Sequence, residues 1–131
     1  MSVDLYAFLH PVMPEEMTKE IVISDRFKDK EGNVVPFKIR ALTKDKVEQL
    51  ARQCRAKHMV KNFDIDVVLG TAMIVEATIY PDFRDAELCK AYQTLDPLEV
   101  VSKMLLFGEA NKLANAISKL SGVEEGIDIK N

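Results

Sequence analysis

DPLEVVSKMLLFGEANKLANAISKLSG, residues 96–122, is the stretch around which the rest of the chain must fold. Asp96 is a strong helix N-cap, Pro97 suits the first helical position, and Glu99 places a carboxylate at the positive end of the helix dipole. Apolar residues recur as Leu98, Val101, Met104 and Leu105, the spacing of one helical face. Gly108 interrupts that stripe, and a second runs through Leu113, Ala114, Ile117 and Leu120. Gly122 stands where a left-handed cap ends a helix. The pattern predicts two helices meeting at Phe107–Gly108 and sharing an apolar side. Neither stripe carries a reactive group.

Upstream, a short helix with Leu5, Phe8 and Leu9 on one side is expected after Ser2, ending before Pro11. His10-Pro11 and Met13-Pro14 make an extended link, because proline disfavours helix in the residue before it. Residues 20–24 carry Ile21 and Ile23 on one face, and in 35–41 Val35, Phe37, Ile39 and Ala41 alternate with Pro36, Lys38 and Arg40. A β-hairpin over about 19–41 follows, turning at Gly32-Asn33, with Ile21, Ile23, Phe37 and Ile39 towards the helices. Pro36 cannot donate to a ladder, so its strand is an edge or holds the proline at an unpaired position.

From Thr43 to Gly122 the chain reads as helical. Thr43 caps a helix buried through Val47, Leu50, Ala51 and Cys54. Asp64 or Asp66 opens a second, apolar nearly all round and therefore central, running to Thr78. Residues 80–83, YPDF, read as a loop, and Asp85 caps a short helix through Leu88 and Tyr92. Leu69, Ala72, Met73, Val101, Leu105, Leu113 and Ile117 are the expected core. The fold class is thus α+β: one mainly helical domain, residues 1–122, of four to six helices with an N-terminal antiparallel hairpin, then a flexible tail, 123–131.

Composition agrees with a single globular domain: 47% hydrophobic and 30% charged residues in a 131-residue chain suffice for a real core. Net charge is −3, unevenly spread. Residues 38–61 carry eight basic and two acidic side chains, whereas 62–131 carry six basic and twelve acidic. Such asymmetry points to internal complementarity or a charged partner surface. No apolar run approaches the ~20 residues of a membrane helix. The opening MSVDLYAFLHPVMPEE lacks the basic region of a signal peptide. The expected location is the cytoplasm, where Cys54 and Cys89 read as buried free thiols.

Chemistry finds little support. His10 and His58 have no nucleophile beside them, and Cys54 with His58, four residues apart, supplies only two of a zinc site's ligands. Asp64 and Asp66 point to different sides of a helix, and the five glycines form no phosphate loop. No catalytic residue, metal or cofactor is expected. The basic helix of residues 43–61, with Arg52 and Arg55 outward, suggests a small DNA-binding or regulatory module as one alternative. Yet no aromatic falls between Lys38 and Lys61, and the pI is near 5.4. A protein-docking face is the better reading, and no nucleic acid or membrane partner is expected. Met104, Leu105, Leu106 and Phe107 are four consecutive large apolar residues, more than one buried face absorbs. Part of that cluster, with Met59 and Tyr92, is the expected partner surface, Phe107 foremost because the following glycine lets the chain turn. Arg52 and Arg55 are the charged addition. The apolar surplus also admits a homo-oligomer.

The order of these segments resembles the XkdN-like phage tail assembly chaperones of tailed phages and of defective prophages such as PBSX. SDRFKDKEGNVVPFKIRALT has the family's apolar strand, Arg-Phe, acidic glycine turn and second strand ending in Leu-Thr. ATIYPDFRDAELCKAYQTLDPLEVVSKMLLFGEANKLANAISKLSG is similar to its Tyr-Pro-Asp loop, Leu…Tyr helix, Asp-Pro start and Met-Leu…Gly-Glu…Leu run. Asp4–Leu9 resembles the opening helix. Gln93 departs from the glycine expected after the tyrosine, and Ala110 from an aromatic after Gly-Glu. The resemblance implies a non-enzymatic protein that binds the hydrophobic, helical tape measure protein, helps recruit tail tube protein and is absent from the mature virion. A structural tail or head–tail subunit retained in the particle is the alternative of another class.

Overall fold

A computed structural model of the chain describes residues 5–61 and 65–123, with only the backbone described for 57–61 and 65–66. The alternation at 35–41 becomes strand β2, Phe37–Arg40, with Phe37 and Ile39 buried and Lys38 in water. It pairs antiparallel with β1, Thr18–Ile21, placing Ile21 opposite Phe37 and Lys19 opposite Ile39. Pairing therefore ends two residues before Ile23, which is buried beyond the ladder. Pro36 lies just ahead of β2, so its missing N–H removes no ladder bond. The connection is closed as the sequence suggests. The Asp29 carboxylate accepts the N–H groups of Glu31 and Asn33, and Gly32 takes a positive φ of 87°.

A third strand, β3, Thr78–Tyr80, pairs antiparallel with the other side of β2, giving the order β1-β2-β3. The sequence pattern predicts a helix running to Thr78 and then a loop. Helix α3, Ile65–Ala77, instead hands over to a β-branched and aromatic run, Thr78-Ile79-Tyr80, that suits a pleated edge. Phe83, assigned to that loop, is fully buried in the core.

The helices otherwise follow their caps. In the first chain order, α1 (Tyr6–Leu9) buries nothing. Thr43 Oγ1 accepts the N–H of Lys46 at the start of α2, Lys44–Lys61. Asp85 accepts from Glu87 and Leu88 to open α4, Ala86–Ala91, and Asp96 from Leu98 to open α5, Pro97–Met104. Helix α6, Phe107–Leu120, ends in a Schellman turn, with Val123 N–H on Ser118 O and Gly122 N–H on Lys119 O. Helix α3 is central, packing on α2, α5, α6 and β3. The core joins Phe37, Ile39, Phe83, Val100, Val101, Leu105, Leu113 and Ile117. Leu69 and Met73 are half-buried at its border, less covered than their spacing suggests. Both cysteines are buried and unbridged.

Candidate functional site

The break between α5 and α6 falls at Leu105–Leu106, not at Phe107–Gly108. Leu105 is buried, Leu106 is extended (φ −70°, ψ 158°), and Gly108 lies inside the first turn of α6. The cause is Glu109, whose carboxylate accepts the N–H of Leu106 at 2.8 Å and fixes the helix start there.

The same carboxylate receives a fork from the hairpin. Arg26 Nε and Nη2 donate to Glu109 Oε2 and Oε1 at 2.8 and 2.6 Å, and Nη2 also donates to the Met104 carbonyl at 2.8 Å. That carbonyl belongs to the last turn of α5, where a cation complements the helix dipole. The guanidinium stacks 4.9 Å over the Phe27 ring, which meets Phe37 edge-on at 5.2 Å. Glu109 is only 7% exposed. The Arg26 hydrogen bonds hold its carboxyl at about 2 rather than 4.5, against the opposing effect of burial and with help from the Leu106 N–H. One ion pair thus ties the hairpin to both helices at their junction.

This clamp presents Leu106 and Phe107 outward, 58% and 85% exposed, directly beside the buried Leu105. On the other side of Arg26 opens a cleft of about 360 Å³ lined by Phe27, Pro36, Tyr80, Pro81, Tyr92 and Met104. Lys103 Nζ donates to the Tyr92 carbonyl at 3.2 Å, joining α5 to the end of α4. Tyr92 and Met104 are therefore brought together, both half-buried, while Leu106 and Phe107 stand free past the clamp. Arg52 and Arg55 are exposed on α2, which packs on α3, and no described contact joins them to the junction. The side chain of Met59 lies outside the described residues, as do those of His58 and Asp66, and all of Asp64. Sequence spacing missed Arg26, Glu109, Tyr80 and Pro81. The Arg-Phe and Gly-Glu pairs were visible as letters, but their 83-residue separation hid that they meet.

Among the described residues no cluster of His, Cys, Asp or Glu could hold a metal ion. No described helix is long and apolar enough to cross a membrane. The junction presents exposed apolar side chains beside a cleft lined by aromatic and thioether groups.

Comparison with known proteins gives this surface a context. Residues 5–130 match the family described as phage XkdN-like tail assembly chaperone protein. The chain is 36% identical over 132 residues to the phage-like element PBSX protein XkdN of Bacillus subtilis (strain 168), covering 95% of this chain and 88% of that one. It is 35% identical over 133 residues to the uncharacterised protein YqbN of the same strain, with the same coverage. The crystal structure of YqbN superposes with a TM-score of 0.75 at 33% identity, covering 95% of this chain and 100% of the YqbN chain.

Proposed function

This chain belongs to the phage XkdN-like tail assembly chaperones, and on that premise we propose that it holds the tape measure protein in solution through the apolar surface of the α5–α6 junction. The single observation behind this reading is the outward presentation of Leu106 and Phe107 on a rigid corner. A folded domain gains by burying such side chains, on the order of 2–3 kcal/mol for a phenylalanine, so their exposure beside a well-packed core favours a partner. The tape measure protein would lay an apolar helix face across Phe107 and Leu106. Tyr92 and Met104 would take a further side chain in the cleft. Arg52 and Arg55, on another face, would meet acidic segments of the tape measure or of the tail tube protein.

The role is binding and release, with no bond made or broken. It belongs in the host cytoplasm, before the tube closes round the tape measure protein, and the chaperone leaves before the particle is complete. Co-expression with the tape measure protein of the same gene cluster tests this. A soluble complex recovered by pull-down, with this chain missing from the mass spectrum of finished particles, is the expected result. Recovery of this chain from finished particles would instead make it a structural subunit, and an insoluble tape measure protein would deny it the chaperone role.

A further inference from the structure

The apolar segment ahead of β1 is left uncovered by the described residues of its own chain. In α1, Leu5, Phe8 and Leu9 recur at the spacing of one helical face, yet Phe8 is 79% and Leu9 68% exposed, and the helix buries none of its residues. Val12 and Met13 continue the exposed apolar run. A helix of four residues is too short to hold itself in water, so it needs a surface to lie on. Pro11 and Pro14 stiffen its link to the sheet, and Met17 anchors that link by accepting the Ala41 N–H on its carbonyl at 3.0 Å. Residues 5–17 hold Glu15 and Glu16, both exposed, and no lysine or arginine.

A groove of matching character lies between β1 and the C-terminal half of α6. Ile21, Ala116 and Leu120 form its floor, half-buried and packed on the core. Lys19, Lys112 and Lys119 stand around them, and the space between measures about 490 Å³. No acidic side chain among the described residues lines it. Groove and segment are thus complementary in both respects: an apolar floor for an apolar helix face, and a lysine rim for a segment whose charges are both negative. The lysine stems add apolar wall beneath their charges.

We propose that this groove receives the arm, residues 5–17, of a second copy of the chain, each copy giving its arm and accepting the other's. Phe8 and Leu9 lie on Ile21, Ala116 and Leu120, and Glu15 and Glu16 lie near the lysines. The root of the arm and Lys19 both stand at the start of β1, so one two-fold axis beside that strand serves both contacts. From His10 to Met17 the link spans up to ~25 Å when extended, against ~12 Å of helix from Lys112 to Leu120, so an arm reaches a neighbouring groove. Reciprocity doubles every contact, which brings short arms towards the ~1,200 Å² of a stable interface. Leu106 and Phe107, at the other end of α6, stay clear, so the pair carries two such corners.

Sedimentation velocity on the full-length chain tests the exchange. The parent should sediment as a dimer that dissociates on dilution. Phe8→Ser with Leu9→Ser should weaken association at least ~tenfold. Its far-ultraviolet circular dichroism should match the parent's, because neither side chain is buried in its own chain. Charge reversal then separates arm from groove. One chain carries Glu15→Lys and Glu16→Lys, another Lys19→Glu and Lys112→Glu, and each should be monomeric alone. Mixed, they should form a one-to-one dimer, since the reversed arm meets the reversed groove and the parental arm the parental groove. A parent that stays monomeric at every concentration overturns the proposal, as it would if each arm lay in its own groove. So do a Phe8→Ser, Leu9→Ser chain that dimerises as tightly as the parent, particles larger than a dimer, and folded reversed chains that fail to pair. Should a reversed chain lose its fold, the Phe8→Ser, Leu9→Ser chain decides alone.

Discussion

Gln93 is the one non-glycine residue with positive φ, 58°, among the described residues. It occupies the left-handed position of a Schellman turn closing α4, with its own N–H on Lys90 O and the Thr94 N–H on Cys89 O. The resemblance leads one to expect glycine here, and a left-handed turn position is one that glycine fits without strain. Gln93→Gly should raise stability by about 1 kcal/mol, read from urea unfolding, since the side chain is exposed and only strain is removed. Glu109 is the opposite case, a residue whose letter gave no warning of its burial. Its carboxyl titrates at about 2 when folded and 4.5 as the ordinary value. The Arg26 pair therefore contributes its full stability above pH 4.5, and loses it as the pH falls from there towards 2. Glu109→Gln cannot ionise. It should be less stable than the parent at pH 7, and the gap should narrow steadily below pH 4.5 in urea unfolding measured across that range.

At the scale of elements, α5, α6 and the hairpin were legible because each repeats one period over enough residues to be counted. The capping of α4 and α5 by Asp85 and Asp96 was readable for the same local reason. β3 was not, because three residues are too few to show a period and follow an apolar helix without a break. The α5–α6 boundary was misplaced because glycine is a permissive residue, while the determinant was a carboxylate three residues past the true cap. Helix α6 then divides sharply between its ends. Ile117 is fully buried against the core, so Ile117→Ala should cost about 2–5 kcal/mol. Thr78, at the start of β3, is buried, and its hydroxyl has no hydrogen-bond partner among the described residues. Thr78→Val keeps the shape and removes that defect, and should raise the unfolding midpoint by the equivalent of about 1 kcal/mol.

Across the whole molecule, part of the charge asymmetry of the sequence resolves into internal pairs. Glu76 accepts Arg40 and Arg84 at 3.1 Å each and lies 3.9 Å from Lys46, and Lys44 pairs with Glu48. Three cations of the basic segment are thereby turned to carboxylates, a poor start for binding phosphates, while Arg52 and Arg55 remain outward. The apolar surplus resolves differently: Leu105 goes inward, Leu106 and Phe107 outward. Counting apolar residues foretold that division, but only the clamp between residues far apart in sequence decides which side chains are left out. The central claim is that this exposed pair holds the tape measure protein, and Phe107→Ser tests it most directly on co-expression. At 85% exposure the substitution should leave the unfolding midpoint unchanged within about 0.5 kcal/mol, while the tape measure protein shifts from the soluble to the aggregated fraction. A folded Phe107→Ser chain that still keeps its partner soluble would contradict the account and move the binding surface elsewhere, with Arg52 and Arg55 the next residues to change.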